Sequence, residues 1–211
     1  RLDSGDLAYL SKQCRKMLDE AGLDYVKIAA SNQLDENVIK SLLEQGARID
    51  VFGVGTNLVI GSPDAALDGV YKLAYSHGKP RIKISESIIK VTLPHKKQVY
   101  RLRDAEGHCV GADLIALCEE NDIENMIHPF EPYKQMRIGE LQKEPLLQPV
   151  MENGENKLEH KSLQEIAEYS KSRLAELSIE YKRFNNPHIY KVGITEALKA
   201  ERDKLIASYQ K

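Results

Sequence analysis

The chain has 211 residues, 42% of them hydrophobic, with a formal net charge of −2 and a pI near 6.4. That length is enough to bury one sizeable core or two smaller ones. The charge balance argues against a surface dominated by nucleic-acid binding, and no run of about 18 apolar residues offers a membrane span. Three widely spaced cysteines, Cys14, Cys109 and Cys118, suit free thiols in a reducing, cytosolic setting rather than a disulfide framework. The start at Arg1, with neither an initiator methionine nor a secretory leader, reads as a motif cut from a longer chain.

Asp3-Ser4-Gly5-Asp6 is turn and helix-cap chemistry. Leu7, Leu10, Cys14, Met17 and Leu18 then recur at spacings of three and four, which predicts a helix ended by Gly22 with Cys14 on its core face. Tyr25 to Ala30 reads as a buried strand. Ser31-Asn32-Gln33-Leu34-Asp35-Glu36 repeats the cap pattern, Val38, Ile39, Leu42 and Leu43 mark a second helix closed by Gly46, and Ile49 to Phe52 reads as the next strand. This alternation is that of a parallel α/β unit. Its polar loops at 1–6, 31–36 and 53–57 would gather at the carboxyl edge of the sheet, where ligands collect in such folds.

The loop Gly53-Val54-Gly55-Thr56 allows two readings. Glycines let backbone N–H groups approach an anion closely, Thr56 adds a hydroxyl, and Leu58 and Val59 open a short helix aimed at the same place, all of which describes a phosphate cradle. The same residues also describe an ordinary strand-to-helix turn that needs glycine for its backbone angles.

After Pro63 the helical alternation stops. Gly69 to Ala74, Arg81 to Ser85, Ile88 to Leu93 and Gln98 to Arg103 read as strands, and Ala105-Glu106-Gly107 as a hairpin turn into His108 to Leu117. Lys72, Lys83, Lys90, Lys96, Lys97, Arg101 and Arg103 make this section basic, either as solvated strand faces or as positive potential around a polyanionic substrate. His108-Cys109 and the distant Cys118 lack a second ligand pair, so no protein metal site is expected. Residues 121–156, rich in proline and without periodicity, read as a connection wrapping the surface. Ser162-Leu163-Gln164-Glu165 is a capping box opening a helix with Leu163, Ile166, Leu174, Leu177 and Tyr181 on one side. After the break at Asn185-Asn186-Pro187, Leu198, Leu205, Ile206 and Tyr209 mark a last packing helix.

Arg1-Leu2-Asp3-Ser4-Gly5-Asp6-Leu7, Ser31-Asn32-Gln33-Leu34-Asp35-Glu36, Phe52-Gly53-Val54-Gly55-Thr56 and Gly69-Val70-Tyr71-Lys72-Leu73 stand in this order, with Lys90-Val91-Thr92-Leu93-Pro94 and Asn186-Pro187-His188-Ile189-Tyr190 beyond them. Together they resemble the C-terminal half of nicotinate phosphoribosyltransferases, over nearly the whole chain. The resemblance implies an α/β fold: the C-terminal part of an incomplete TIM-like (β/α) barrel in residues 1–75, then a β-rich section at 76–120 and a surface-wrapping segment with C-terminal helices at 121–211. It implies phosphoribosyl transfer from phosphoribosyl pyrophosphate to nicotinate in NAD salvage, assisted by ATP and accompanied by Mg²⁺. Arg1 would hold the nicotinate carboxylate and Asp3 would face the ribose, with Ser31 and Asn32 lining the cavity. Gly53, Gly55 and Thr56 would hold the 5′-phosphate.

The family's phosphorylated histidine lies before Arg1, so the catalytic group is not assigned. The isolated chain is expected to be inactive without an N-terminal half, and the family tends toward dimers. His95 stands where the resemblance leads one to expect glycine. The competing functions are a related pyridine base as acceptor, or a non-catalytic interaction or regulatory domain that keeps a phosphate pocket.

Overall fold

A computed structural model describes residues 1–66 and 69–209, which form two compact units, Arg1–Val70 and Tyr71–Lys211. The architecture is mixed α/β. In the first unit, helix α1 (Leu7–Glu20) is capped by Asp6, whose carboxylate accepts the Tyr9 N–H at 2.9 Å, and stops before Gly22, at φ +72°. Cys14 is half-buried on its inner side, whereas Met17 is exposed. Strand β1 (Ala29–Ser31), helix α2 (Glu36–Glu44), strand β2 (Val51–Gly53) and the single turn α3 (Thr56–Val59) follow. β1 and β2 are parallel, and Leu2 bridges Ala30 in parallel on the other side, donating to Ala29 O at 2.8 Å and accepting from Ser31 N at 2.9 Å.

The strand expected at Tyr25 to Ala30 is confined to its end. The Arg15 guanidinium takes the Leu23 and Val26 carbonyls at 2.9 and 2.7 Å, which holds residues 23–26 in a turn and leaves Tyr25 exposed. Ala8, Ala30, Leu34 and Leu42 form the core, with Ile39, Ile49 and Phe52 packed around it. Ser11 is buried with its hydroxyl fully used, donating to Ala8 O and accepting the Arg48 N–H.

The second unit opens on a two-residue hairpin, β3 (Tyr75–Ser76) with β4 (Lys79–Pro80). The strands expected at Gly69 to Ala74, Arg81 to Ser85 and Ile88 to Leu93 do not form. Ile88–Lys90 is a 3₁₀ turn with Ile88 and Ile89 exposed, because β-favouring residues make a strand only where a partner strand takes their backbone groups. Strands β5 (Lys97–Arg103), β6 (Cys109–Leu117), β7 (Asn125–Ile127), β8 (Gln135–Arg137) and β9 (Gln142–Pro145) enter a six-stranded sheet. The sheet order is β8-β7-β12-β6-β5-β9, where β12 (Lys191–Ile194) returns late in the chain, parallel to β6.

Residues 121–156 are therefore not a surface wrapping. They supply three strands of this sheet and bury Ile123, Met126, Ile127 and Ile138, in pieces too short to show a sequence period. A small hairpin, β10 (Met151–Glu152) with β11 (Glu155–Asn156), follows.

Helix α4 (Leu163–Ala175) has the expected capping box of Ser162 and Glu165, yet buries no residue, and Leu163 is 86% exposed. Charge anchors it instead: Arg173 and Arg103 both bind Glu144 and Glu176, at 2.6 to 3.1 Å. Helix α5 (Glu196–Tyr209) does pack as expected, with Leu198 buried against Ile127 and Ile194, although Tyr209 is exposed. The basic residues of the middle section serve neither expected role in three cases. Arg101 is paired with Asp113, Arg103 belongs to the anchor of α4, and the Lys97 ammonium donates to the carbonyls of Leu93, Pro94 and His95. Burial lowers the pKa of Lys97. His95 has φ +70°, the left-handed backbone for which glycine is the default residue.

Candidate functional site

The carboxyl ends of β1 and β2 open on a cavity of about 300 Å³ lined by Ser31, Asn32, Gln33, Leu34, Gly53, Gly55, Thr56 and Asn57. Five of the seven residues singled out by sequence thus share one pocket. The parallel pairing brings them together, because Ser31 lies directly beside Gly53. Arg1 and Asp3 do not line the cavity. They form an exposed ion pair at 3.1 Å at the end of the neighbouring chain segment, one residue either side of Leu2.

The glycine loop is rich in unused donors. Among the described residues, no protein acceptor takes the backbone N–H of Val54, Gly55, Thr56 or Asn57, or the Thr56 hydroxyl. The Gly55 carbonyl, by contrast, is used twice, by the N–H groups of Leu58 and Val59. Successive free N–H groups of this kind form an anion-binding concavity.

Packing does not explain both glycines. A Cβ built on Gly55 meets no atom within 4 Å, and one on Gly53 makes only ordinary contacts, 3.5 Å from Ala30 O. Gly55 does adopt an unusual backbone, φ −101° and ψ −100°, so conformation is part of its reason to be glycine. With only four residues, α3 adds little macrodipole; the donors carry the attraction.

The lining includes no lysine, arginine or carboxylate. An anion here would be met by neutral donors. The set does not fit a protein-bound Mg²⁺, which takes one or two carboxylates alongside phosphate oxygens. Gln33 and Asn57 also line the pocket. The signal for Asn57 was a polar residue directly after Gly-Val-Gly-Thr.

Elsewhere, a larger cavity of about 710 Å³ in the second unit has Tyr75, His95, Lys96, Cys118 and Glu201 among its lining residues, with none of the sequence-derived candidates. Some of its charges are engaged internally: His95 bonds Glu201 at 3.1 Å and the Lys96 ammonium lies over the Tyr75 ring. Cysteine spacing gave no hint of a further cluster, the donor atoms of Asp104, Glu106 and His108, which lie within 4.8 Å of one another at the β5–β6 turn. Hydrogen bonding of Asp104 to the His108 N–H, at 2.8 Å, accounts for that turn without an ion.

The family model for the nicotinate phosphoribosyltransferase C-terminal domain matches residues 96–201, half of the chain. The chain belongs to this family. A nicotinate phosphoribosyltransferase of Bacillus subtilis (strain 168) is 42% identical over 204 residues, covering 93% of this chain and 42% of the relative. The crystal structure of human nicotinic acid phosphoribosyltransferase superposes with a TM-score of 0.73 at 29% identity, over 98% of this chain and 40% of that one. That of nicotinate-nucleotide pyrophosphorylase from Pyrococcus furiosus gives 0.58 at 28% identity, over 83% of this chain and 39% of that one. The chain therefore spans less than half the length of these relatives. No described helix is long and apolar enough to cross a membrane.

Proposed function

We propose that this chain supplies the phosphate- and base-binding loops of a nicotinate phosphoribosyltransferase. The enzyme would transfer phosphoribose from phosphoribosyl pyrophosphate to nicotinate, giving nicotinate mononucleotide and pyrophosphate in NAD salvage with assistance from ATP. The observation that carries this reading is the set of free donors on Gly55, Thr56 and Asn57, which line one pocket with Ser31 and Asn32. In it, Gly53, Gly55 and Thr56 hold the 5′-phosphate while Ser31 and Asn32 border the ribose. Asp3 steadies Arg1 through one nitrogen, and the rest of the Arg1 fork is left for the nicotinate carboxylate. The parallel unit at the start of the chain would be part of an incomplete (β/α) barrel. Mg²⁺ would travel with the polyphosphate, held by phosphate oxygens and by carboxylates outside this pocket. A phosphoribosyltransferase acting on a related pyridine base is the second reading.

The test is ribose 5-phosphate binding by the chain itself, followed through backbone amide shifts. Val54, Gly55, Thr56 and Asn57 should move, and Thr56→Val should weaken binding roughly tenfold or more, since a hydrogen bond to a charged group contributes about 1.5–3 kcal/mol. No shift in these four amides at millimolar ligand would overturn the assignment.

A further inference from the structure

The pocket is built from two loops, one after each strand, and two anchors hold them in register. The Ser31–Leu34 turn is strained: Asn32 and Gln33 have φ of +84° and +43°, two adjacent left-handed residues that both carry a Cβ. Such backbone persists only where its surroundings over-determine it. One anchor is the Leu34 side chain, 2% exposed in the core with Ala8, Ala30 and Leu42. The other comes from the opposite loop, where Asn57 Nδ2 donates to Leu34 O at 3.0 Å. Among the described residues this is the one side-chain hydrogen bond between the two loops.

Resting on the reading of the pocket as a sugar-phosphate site, we infer that Asn57 is a positioning residue, tying the Ser31–Leu34 turn to the glycine loop so that one ligand is held by both. The phosphate needs only the donors of the glycine loop. The sugar needs the turn at a fixed distance from them, and the Asn57 amide sets that distance. Alanine removes the tether. Aspartate keeps the shape, but it has no proton to give at neutral pH and sets a carboxylate against the Leu34 carbonyl.

The experiment titrates the 211-residue chain with inorganic phosphate and with ribose 5-phosphate, reading amide shifts, for the wild type, Asn57→Ala and Asn57→Asp, with a melting curve on each. The wild type should prefer ribose 5-phosphate. Both variants should lose that preference by about tenfold, the cost of one hydrogen bond's worth of register. The added charge of Asn57→Asp weighs on both anions and largely cancels in the ratio. A purely structural role would lower the melting temperature or both affinities together and leave the ratio intact, which overturns the inference and spares the phosphate reading. Equal wild-type affinity for the two probes also overturns it, because the turn then does not engage the sugar. Absence of binding by either probe overturns the phosphate reading and the inference with it.

Discussion

Replacing Gly111 with alanine tests how the second unit is locked. Gly111 sits within β6 at φ +71°, and a Cβ there would stand 2.0 Å from the Tyr181 hydroxyl and 2.4 Å from its Cζ. Tyr181 cannot swing freely aside. Its ring packs 5.5 Å from Tyr190 and 5.4 Å from His188, and Tyr190 is held by its hydroxyl on Asp113, which also binds Arg101. Left-handed backbone costs alanine about 1–2 kcal/mol, and forcing an extra methyl into a packed site costs about 1–3 kcal/mol. The sum, about 2–5 kcal/mol, is a large part of the roughly 5–15 kcal/mol that holds a protein folded. At about 2–4 °C per kcal/mol for a chain of this size, the melting temperature should fall by about 4–20 °C. Gly107→Ala is the control, because φ is +86° there but nothing lies within 4 Å, so only the backbone cost applies. Melting curves by circular dichroism on the two variants separate the contributions. If Gly111→Ala melts no lower than Gly107→Ala, Tyr181 is not wedged as described.

Arg1→Ala, assayed in a catalytically competent enzyme, should reduce kcat/KM for nicotinate by about 30- to 900-fold, the equivalent of about 2–4 kcal/mol for truncating one partner of a charge pair buried once nicotinate is bound, with Arg1→Lys recovering only part. An unchanged preference for nicotinate over nicotinamide would return Arg1 to a bracing role through Asp3. The anchor of α4 should be pH-sensitive. Burial raises the Glu144 carboxyl, but hydrogen bonds and charge from Arg173 and Arg103 outweigh it and hold the group below the usual carboxylate range. A depressed carboxylate contributes stability above its unfolded pKa, near 4.3 for glutamate, and that contribution is lost as pH falls through the lower folded value. Hydrogen exchange should therefore show α4 amides losing protection below about pH 4 while those of α5, buried through Leu198, hold; equal loss in both helices would refute the anchor.

Much of the first unit was legible because its signals are local. Asp6 and Asp35 cap the helices they precede, and Gly22 and Gly46 close them at positive φ; the apolar spacing is a coarser guide, since Ile39 and Leu42 of α2 do meet the core while Met17, Val38 and Leu43 are exposed and α1 buries Ala8 and Ser11 instead. The Ser162–Glu165 box is local in the same sense. The order of these motifs was enough to point to the family. Partnership was not legible. Whether Ile88 and Ile89 join a sheet, whether residues 121–156 lie on the surface or enter one, and whether α4 is held by leucines or by arginines all depend on segments tens of residues away. Burial and cross-strand hydrogen bonds come from those distant neighbours, and a three-residue strand carries too few side chains to announce its face. The pocket divides the same way. Its glycines, Thr56, Ser31 and Asn32 are motif residues, but their meeting, the idle N–H groups and the reach of Asn57 to Leu34 O exist only once β1 and β2 lie side by side.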